Sequence, residues 1–331
     1  MNDDAASTRN DAALGAVIGA LVGDAAGAVL EFFGREIAPA DVEHALTMPG
    51  GGTWEVAPGQ ITDDGELTMS LLNALAEDPD RPLGAASHYA RWVASDPFDI
   101  GATTAASLGC LRHAAWAARA NEAGVDVAMT EAARERCMGS KANGSLMRAT
   151  PLGVWGAGRA ERDIIAAAQA DARLSHPNAS CVDAASLYVL AIASLIRTPG
   201  DTSHALALVD AWARANACDE VRGWLDDAAA GRAVPYTPQD GFVRIAFTHA
   251  FRHLHAGTPY TSALRETLAG GGDTDTNACI VGGLLGARWG ASSIPTSMKT
   301  VVLACDHRRG KHVRPETLHP RTVPEQIRAL L

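Results

Sequence analysis

The stretch AALGAVIGALVGDAAGAVL, residues 12–30, decides how this chain folds. Leu14, Val17, Ile18, Leu21, Val22 and Val29 recur at the spacing of one helical face, while Gly15, Gly19, Gly23 and Gly27 recur every fourth residue. A helix carrying a glycine stripe can meet a neighbour at backbone distance, so the segment reads as a central helix packed on several sides. It is also long enough to cross a bilayer. Asp24 in its middle, its weakly apolar alanines and glycines, and Asp3, Asp4 and Asp11 ahead of it against one Arg9 argue instead for a buried helix, and against a signal peptide. Asp24 would be costly there without partners, which points to a buried hydrogen-bonding role.

The rest of the 331-residue chain agrees with a helical reading. Hydrophobic residues make up 47% and aromatics 5%, and much of the apolar share is alanine, the best helix former. Helical periodicity runs through 66–77, 81–93, 103–120, 161–174, 181–196, 204–216, 241–255, 260–268 and 277–289, and no stretch alternates like a half-buried strand. A soft prior of about 150 residues per domain would allow two, but no linker divides the chain. Residues 1–11 are expected to be disordered and 12–305 to form one domain. Residues 306–331, with six Lys/Arg, three Asp/Glu and three prolines, are expected as a basic, irregular tail packed on or beside it.

Charge narrows the partners. With 28 Lys+Arg against 38 Asp+Glu the net charge is −10, so neither nucleic acid nor an anionic membrane surface is an expected partner. Six scattered cysteines without a C-x-x-C pair indicate neither a zinc ribbon nor a disulfide scaffold, and a reducing, cytoplasmic setting is expected.

Part of the negative charge is gathered in two places. Thr62-Asp63-Asp64 follows the glycine-rich loop 49–59 and opens a helix; Asp273-Thr274-Asp275-Thr276 follows Gly270–Gly272 and opens another. Either cluster alone reads as helix capping, and Asp63 with Glu66 has the form of a capping box. Together they hold more carboxylate than capping uses, and adjacent carboxylates repel unless something positive lies between them. The absence of a Cys/His ligand set leaves a hard cation such as magnesium or manganese, bound by oxygen. Four carboxylates, Asp63, Asp64, Asp273 and Asp275, would balance two divalent ions, and Thr62 and Thr276 offer neutral oxygens.

These residues sit in segments that resemble the ADP-ribosylglycohydrolase family. GAVIGALVGDAAGAVLEF (15–32), GQITDDGELTMSLLNAL (59–75), KANGSLMRATPLG (141–153) with LSHP (174–177), and GGDTDTNACIVGGLLGA (271–287) occur in the family's order. The resemblance implies an all-α, orthogonally packed multi-helix single domain with two Mg²⁺ or Mn²⁺ ions in a cleft that binds the ADP-ribose moiety. It makes Thr62, Asp63, Asp64, Asp273, Asp275 and Thr276 metal ligands, and Glu31 a mobile acidic residue that approaches the site. The loop Ser140, Lys141, Asn143, Gly144 and Ser145, with His176, would hold the diphosphate and distal ribose; Gly101 and Thr103, in DIGATT, look similar to another phosphate-side loop. One departure is Gly65, where many members have Thr.

The chemistry that follows is hydrolysis at the anomeric carbon of ribose, with Asp63 or Asp64 positioning or deprotonating water and Glu31 assisting as acid, base or gate. A monomeric hydrolase of ADP-ribosyl-arginine in proteins, releasing free ADP-ribose, is the leading expectation. Alternatives are ADP-ribosyl-serine, O-acetyl-ADP-ribose, an ADP-ribosylated base or a small guanidino compound as substrate, a noncatalytic ADP-ribose binder, and a two-metal phosphohydrolase. Outside these motifs, Asn143-Gly144-Ser145 alone reads as a turn. His249 and His253 have i, i+4 spacing but no HExxH glutamate, and read as structural. Trp54 reads either as a lid or as packing for its loop.

Overall fold

The structure is a computed structural model describing residues 2–308 and 310–331, with side chains from residue 5 onward. Among the described residues there is no strand, only the isolated pairings Gly51 with Val56 and Ala142 with Phe242. The helices are α1 (Asn2–Gly27), α2 (Pro39–Ala45), α3 (Asp63–Glu77), α4 (Ala85–Ala94), α5 (Ala102–Ser107) and α6 (Ala114–Ala123). They continue with α7 (Val125–Arg136), α8 (Thr150–Gly156), α9 (Glu161–Arg173), α10 (Ala179–Arg197), α11 (Thr202–Asn216) and α12 (Asp219–Ala229). The last are α13 (Val243–Ala256), α14 (Tyr260–Ala269), α15 (Thr274–Trp289), α16 (Thr296–Leu303) and α17 (Val323–Leu330). The protein is all-α.

The glycine stripe of α1 meets α15 antiparallel and at backbone contact. A Cβ on Gly15 would stand 2.2 Å from the Gly286 carbonyl oxygen, and one on Gly27 would stand 2.2 Å from the Asp275 Cα. Only residues without side chains allow this approach, and α15 answers with Gly282 and Gly286 of its own. The pair therefore runs the C-terminal end of α1 alongside the N-terminal end of α15. α10 is long and apolar enough to cross a membrane, but 94% of its apolar window is buried inside the molecule. It belongs to one contiguous apolar core that extends from Ala12 to Ile327.

Several local expectations change. The structure draws residues 2–11, expected to be disordered, as the first turns of α1, and the Asp11 carboxylate accepts hydrogen bonds from the Ser292 N–H and hydroxyl. Residue 1 of that segment, and residue 309 of the tail, lie outside the described residues. The helix expected over 103–120 breaks at a 3-10 turn, Leu108–Arg112, where the Ser107 hydroxyl turns back onto the Thr103 carbonyl and Gly109 follows. The tail is less irregular than expected: α17 buries Val323 and Ile327. Arg314 reaches the core and donates to both Glu66 oxygens, at 2.7 and 2.9 Å. The helices α2, α7, α8, α12, α16 and α17 are additions to the sequence reading. α7 buries Ala128, Met129, Ala132 and Ala133, a stripe of small size rather than strong hydrophobicity, which hides its period.

Candidate active site

The helix ends brought together by α1, α3 and α15 carry the acidic clusters. Asp24, near the end of α1, accepts from the Thr62 N–H at 3.0 Å, the Thr62 hydroxyl at 2.7 Å and the Gly65 N–H at 2.9 Å. It thus supplies from another helix the oxygens that the start of α3 needs. Thr62 makes no capping bond of its own, and Glu66, the other half of the expected capping box, turns away to Arg314 and the Trp92 indole. Asp273, at the N-cap of α15, likewise makes no capping bond; its carboxylate accepts from the Asn143 amide at 2.7 Å. Capping therefore does not account for either cluster. Gly65 is explained too, because a Cβ there would stand 2.4 Å from Asp24 Oδ2.

What remains is a set of oxygens facing oxygens. The single hydroxyl hydrogen of Thr62 is taken by its shortest contact, Asp24, so Thr62 Oγ1 faces Asp64 Oδ2 at 3.3 Å and Asp275 Oδ2 at 3.4 Å with lone pairs. The Thr276 hydroxyl donates to Asp64 Oδ2 at 3.3 Å, whereas Asp64 Oδ1 is buried without any partner. Oxygens of Asp24, Asp64 and Asp275 lie within 4.8 Å of one another, as do those of Glu31, Asp99 and Asp275. Burial raises Asp63, Asp64 and Asp275 well above the usual carboxylate range, and neighbouring carboxylates raise them further. Burial likewise pushes Asp24 and Glu31 up to about 7 and Asp99 to about 6. No lysine or arginine lines this cleft among the described residues. Buried carboxylates in contact cannot all ionise without added positive charge, and an all-oxygen donor set with an orphaned oxygen suits a hard cation. The residues present fit a metal.

The cleft beside them encloses about 330 Å³. Glu31, Asp63, Asp99, Asp273 and Asp275 line it, together with Gly101, Thr103, Asn143, Gly144 and His176. The Asn143 loop is held by its N–H to the Gly241 carbonyl and by buried Arg148, which donates to the Gly144 carbonyl and to Asp171. Gly144 lies so close to His176 that a Cβ would stand 2.8 Å from the ring. Burial, and then the charge of Arg148, push His176 down to about 3, so the ring faces the cleft neutral, as a hydrogen-bonding group and not a counter-charge.

Three expected substrate residues lie off the cleft wall. Lys141 Nζ pairs with Glu220 at 2.7 Å, Ser140 Oγ shares a hydrogen bond with Thr103 Oγ1, and the Ser145 hydroxyl is buried without a partner. His249 and His253 are buried away from the site, His249 stacked on Tyr236. Sequence reasoning missed Asp99, whose only signal was a carboxylate two residues before Gly101. It also left Trp54 undecided; the indole Nε1 donates to Glu31 Oε2 at 2.6 Å.

Residues 5–316 match the family described as ADP-ribosylglycohydrolase. The chain belongs to the ADP-ribosylglycohydrolase family. Within it, the chain is 30% identical over 291 residues to the ADP-ribosyl-[dinitrogen reductase] glycohydrolase of Rhodospirillum rubrum, covering 87% of this chain and 88% of that one. It is 35% identical over 112 residues to the ADP-ribosylarginine hydrolase Tri1 of Pseudomonas putida (strain GB-1), covering 31% of this chain and 29% of that one. A solved structure titled ADP-ribosylglycohydrolase-related protein complex shares the fold, with a TM-score of 0.72, 23% identity and 98% coverage of both chains. This ADP-ribosylglycohydrolase is a hydrolase, and its acidic clusters form a cleft able to hold metal.

Proposed function

We propose that this ADP-ribosylglycohydrolase is a dinuclear, magnesium- or manganese-dependent enzyme that cleaves the bond between ADP-ribose and an arginine side chain, releasing free ADP-ribose. The observation that carries the reading is the meeting of Asp64 and Asp275, from clusters distant in sequence, with oxygens within 4.8 Å of one another and of Asp24 and with Asp64 Oδ1 left without a protein partner. Thr62, Asp63, Asp64, Asp273, Asp275 and Thr276 would hold the ions, with Asp24 fixing Thr62. Bound divalent ions supply a template for ribose hydroxyls and acidify water. Glu31 and Asp99, which line the cleft with oxygens close to Asp275, would take or return the proton of the attacking water, and Asn143 holds Asp273 in register. Neutral His176, with the backbone at Gly101 and Gly144, offers hydrogen-bonding surface to the diphosphate side without a fixed positive charge. The names of the Rhodospirillum and Pseudomonas relatives support an ADP-ribosylated protein and the arginine linkage. Six free cysteines, five of them buried, suit a reducing cytoplasm.

The test is to incubate the metal-loaded protein with a panel of ADP-ribosylated substrates and identify products by mass. Free ADP-ribose from the arginine conjugate is the expected result. Release only from serine, O-acetyl or base conjugates moves the linkage; AMP with ribose phosphate indicates a phosphohydrolase; binding without turnover indicates a noncatalytic binder. Sedimentation of the same sample tests the monomer.

A further inference from the structure

Glu31 stands beyond the end of α1, and Phe32 after it has a φ of +50°, so the helix does not hold the Glu31 side chain in place. The loop 49–59 does. The Trp54 indole donates to Glu31 Oε2 at 2.6 Å and the Thr53 hydroxyl to the Glu31 carbonyl at 2.9 Å. The other neighbours of the Glu31 carboxylate include Asp99 and Asp275. An indole N–H is a neutral donor, so it can fix one carboxylate oxygen without bringing a positive charge that would compete with a cation in the cleft.

The loop is in turn clasped by the C-terminal strap. His312 Nε2 lies 2.7 Å from the Trp54 carbonyl, which can only accept, so Nε2 carries the hydrogen. Gln60 donates to the His312 carbonyl at 2.8 Å, and Lys311 pairs with Glu55 at 2.6 Å. The His312 ring stacks on Phe98 at 4.3 Å and 19°, and Phe98 immediately precedes the cleft residue Asp99.

We propose that Trp54 is the positioning residue for Glu31 in catalysis, and that His312 sets Trp54 from the strap. The kinetic part rests on the hydrolase reading of the cleft; the contact itself is tested without it. Trp54→Phe keeps a ring and removes the N–H. It should lower kcat about 10- to 100-fold, the worth of one hydrogen bond to a charged group, with KM and thermal midpoint nearly unchanged. The double variant Trp54→Phe/Glu31→Ala should be no slower than Glu31→Ala, because one residue acts through the other. His312→Ala should lose a smaller part of kcat, and His312→Gln, whose amide can still reach the carbonyl, should recover it.

Independently, in ¹⁵N-labelled protein the indole resonance lost in Trp54→Phe should move in Glu31→Ala and in His312→Ala, with the other indoles unmoved. Full kcat in Trp54→Phe, losses that add in the double variant, or an indole resonance indifferent to Glu31→Ala would each overturn the proposal. Should Trp54→Phe fail to fold, the Glu31→Ala and His312→Ala spectra decide it, with the indole identified by Trp54→His. A wild-type protein without turnover but with the expected indole shifts refutes the hydrolase reading and leaves the clasp standing.

Discussion

Asp24 joins two helices with one carboxylate: it leaves the end of α1 and receives three hydrogens from the start of α3. An amide in its place would set an N–H₂ against donors. Asp24→Asn is therefore expected to cost about 2–3 kcal/mol and to weaken metal binding, read as a lowered thermal midpoint and a weaker response of that midpoint to Mn²⁺. Asp63→Asn and Asp273→Asn should each abolish turnover of an ADP-ribosyl conjugate while leaving the far-UV helical signal intact; normal turnover in either would refute the dinuclear proposal. At this scale the sequence is readable where residues exceed their local need, as the paired aspartates do beside a helix start. Asp99 and Trp54 carry no such excess. Their meaning arises from Glu31 and Asp275, which only the fold brings beside them, and Lys141 shows the converse, a plausible anion binder drawn off by Glu220.

Two contacts between elements fix the helices whose ends carry the acidic clusters. A Cβ on Gly23 of α1 would lie 2.0 Å from the Ala278 carbonyl oxygen of α15, and backbone cannot swing aside as a side chain can. Gly23→Ala should destabilise the protein by about 3 kcal/mol, measured by urea unfolding, and a neutral result would show that α1 and α15 can slide apart freely. The second contact is the buried pair of Arg314 with Glu66, 5% and 2% exposed. Arg314→Ala strands a buried carboxylate on α3 and is expected to cost about 3–5 kcal/mol, while Arg314→Met with Glu66→Met should cost much less. The four-residue glycine period announced the first contact in the sequence, because close helix approach leaves that trace in residue size. The second was hidden, since a lone arginine in a basic, proline-containing tail looks the same whether it faces water or the core.

For the molecule as a whole, the carboxylates govern how stability answers to pH and metal. Without a bound cation, burial pushes Asp24 and Glu31 up to about 7 and Asp99 up to about 6, above their unfolded values. The folded state then keeps protons that the unfolded chain has released, so these groups cost stability progressively as pH rises from about 4 to 7. Buried His176 and His253, pushed to about 3 and about 4, act oppositely below about 6.5. Metal-loaded and chelated protein share the histidine effect. The gap between their thermal midpoints should therefore widen from pH 5 to pH 8 as metal displaces protons, and a gap that narrows would show that the ions bind elsewhere.

The antiparallel pairing of α1 with α15 has a further consequence in time. Its last bond, from the Thr274 hydroxyl to the Gly27 carbonyl, spans 247 residues of chain. Contacts of such separation form late, because a large loop must close before they return any energy. A chain still being synthesised exposes the acidic start of α3 long before α15 exists to complete it. A fragment that stops short of α15 lacks Asp273, Asp275 and Thr276, so the proposed centre would be completed only after the last long helix has been made.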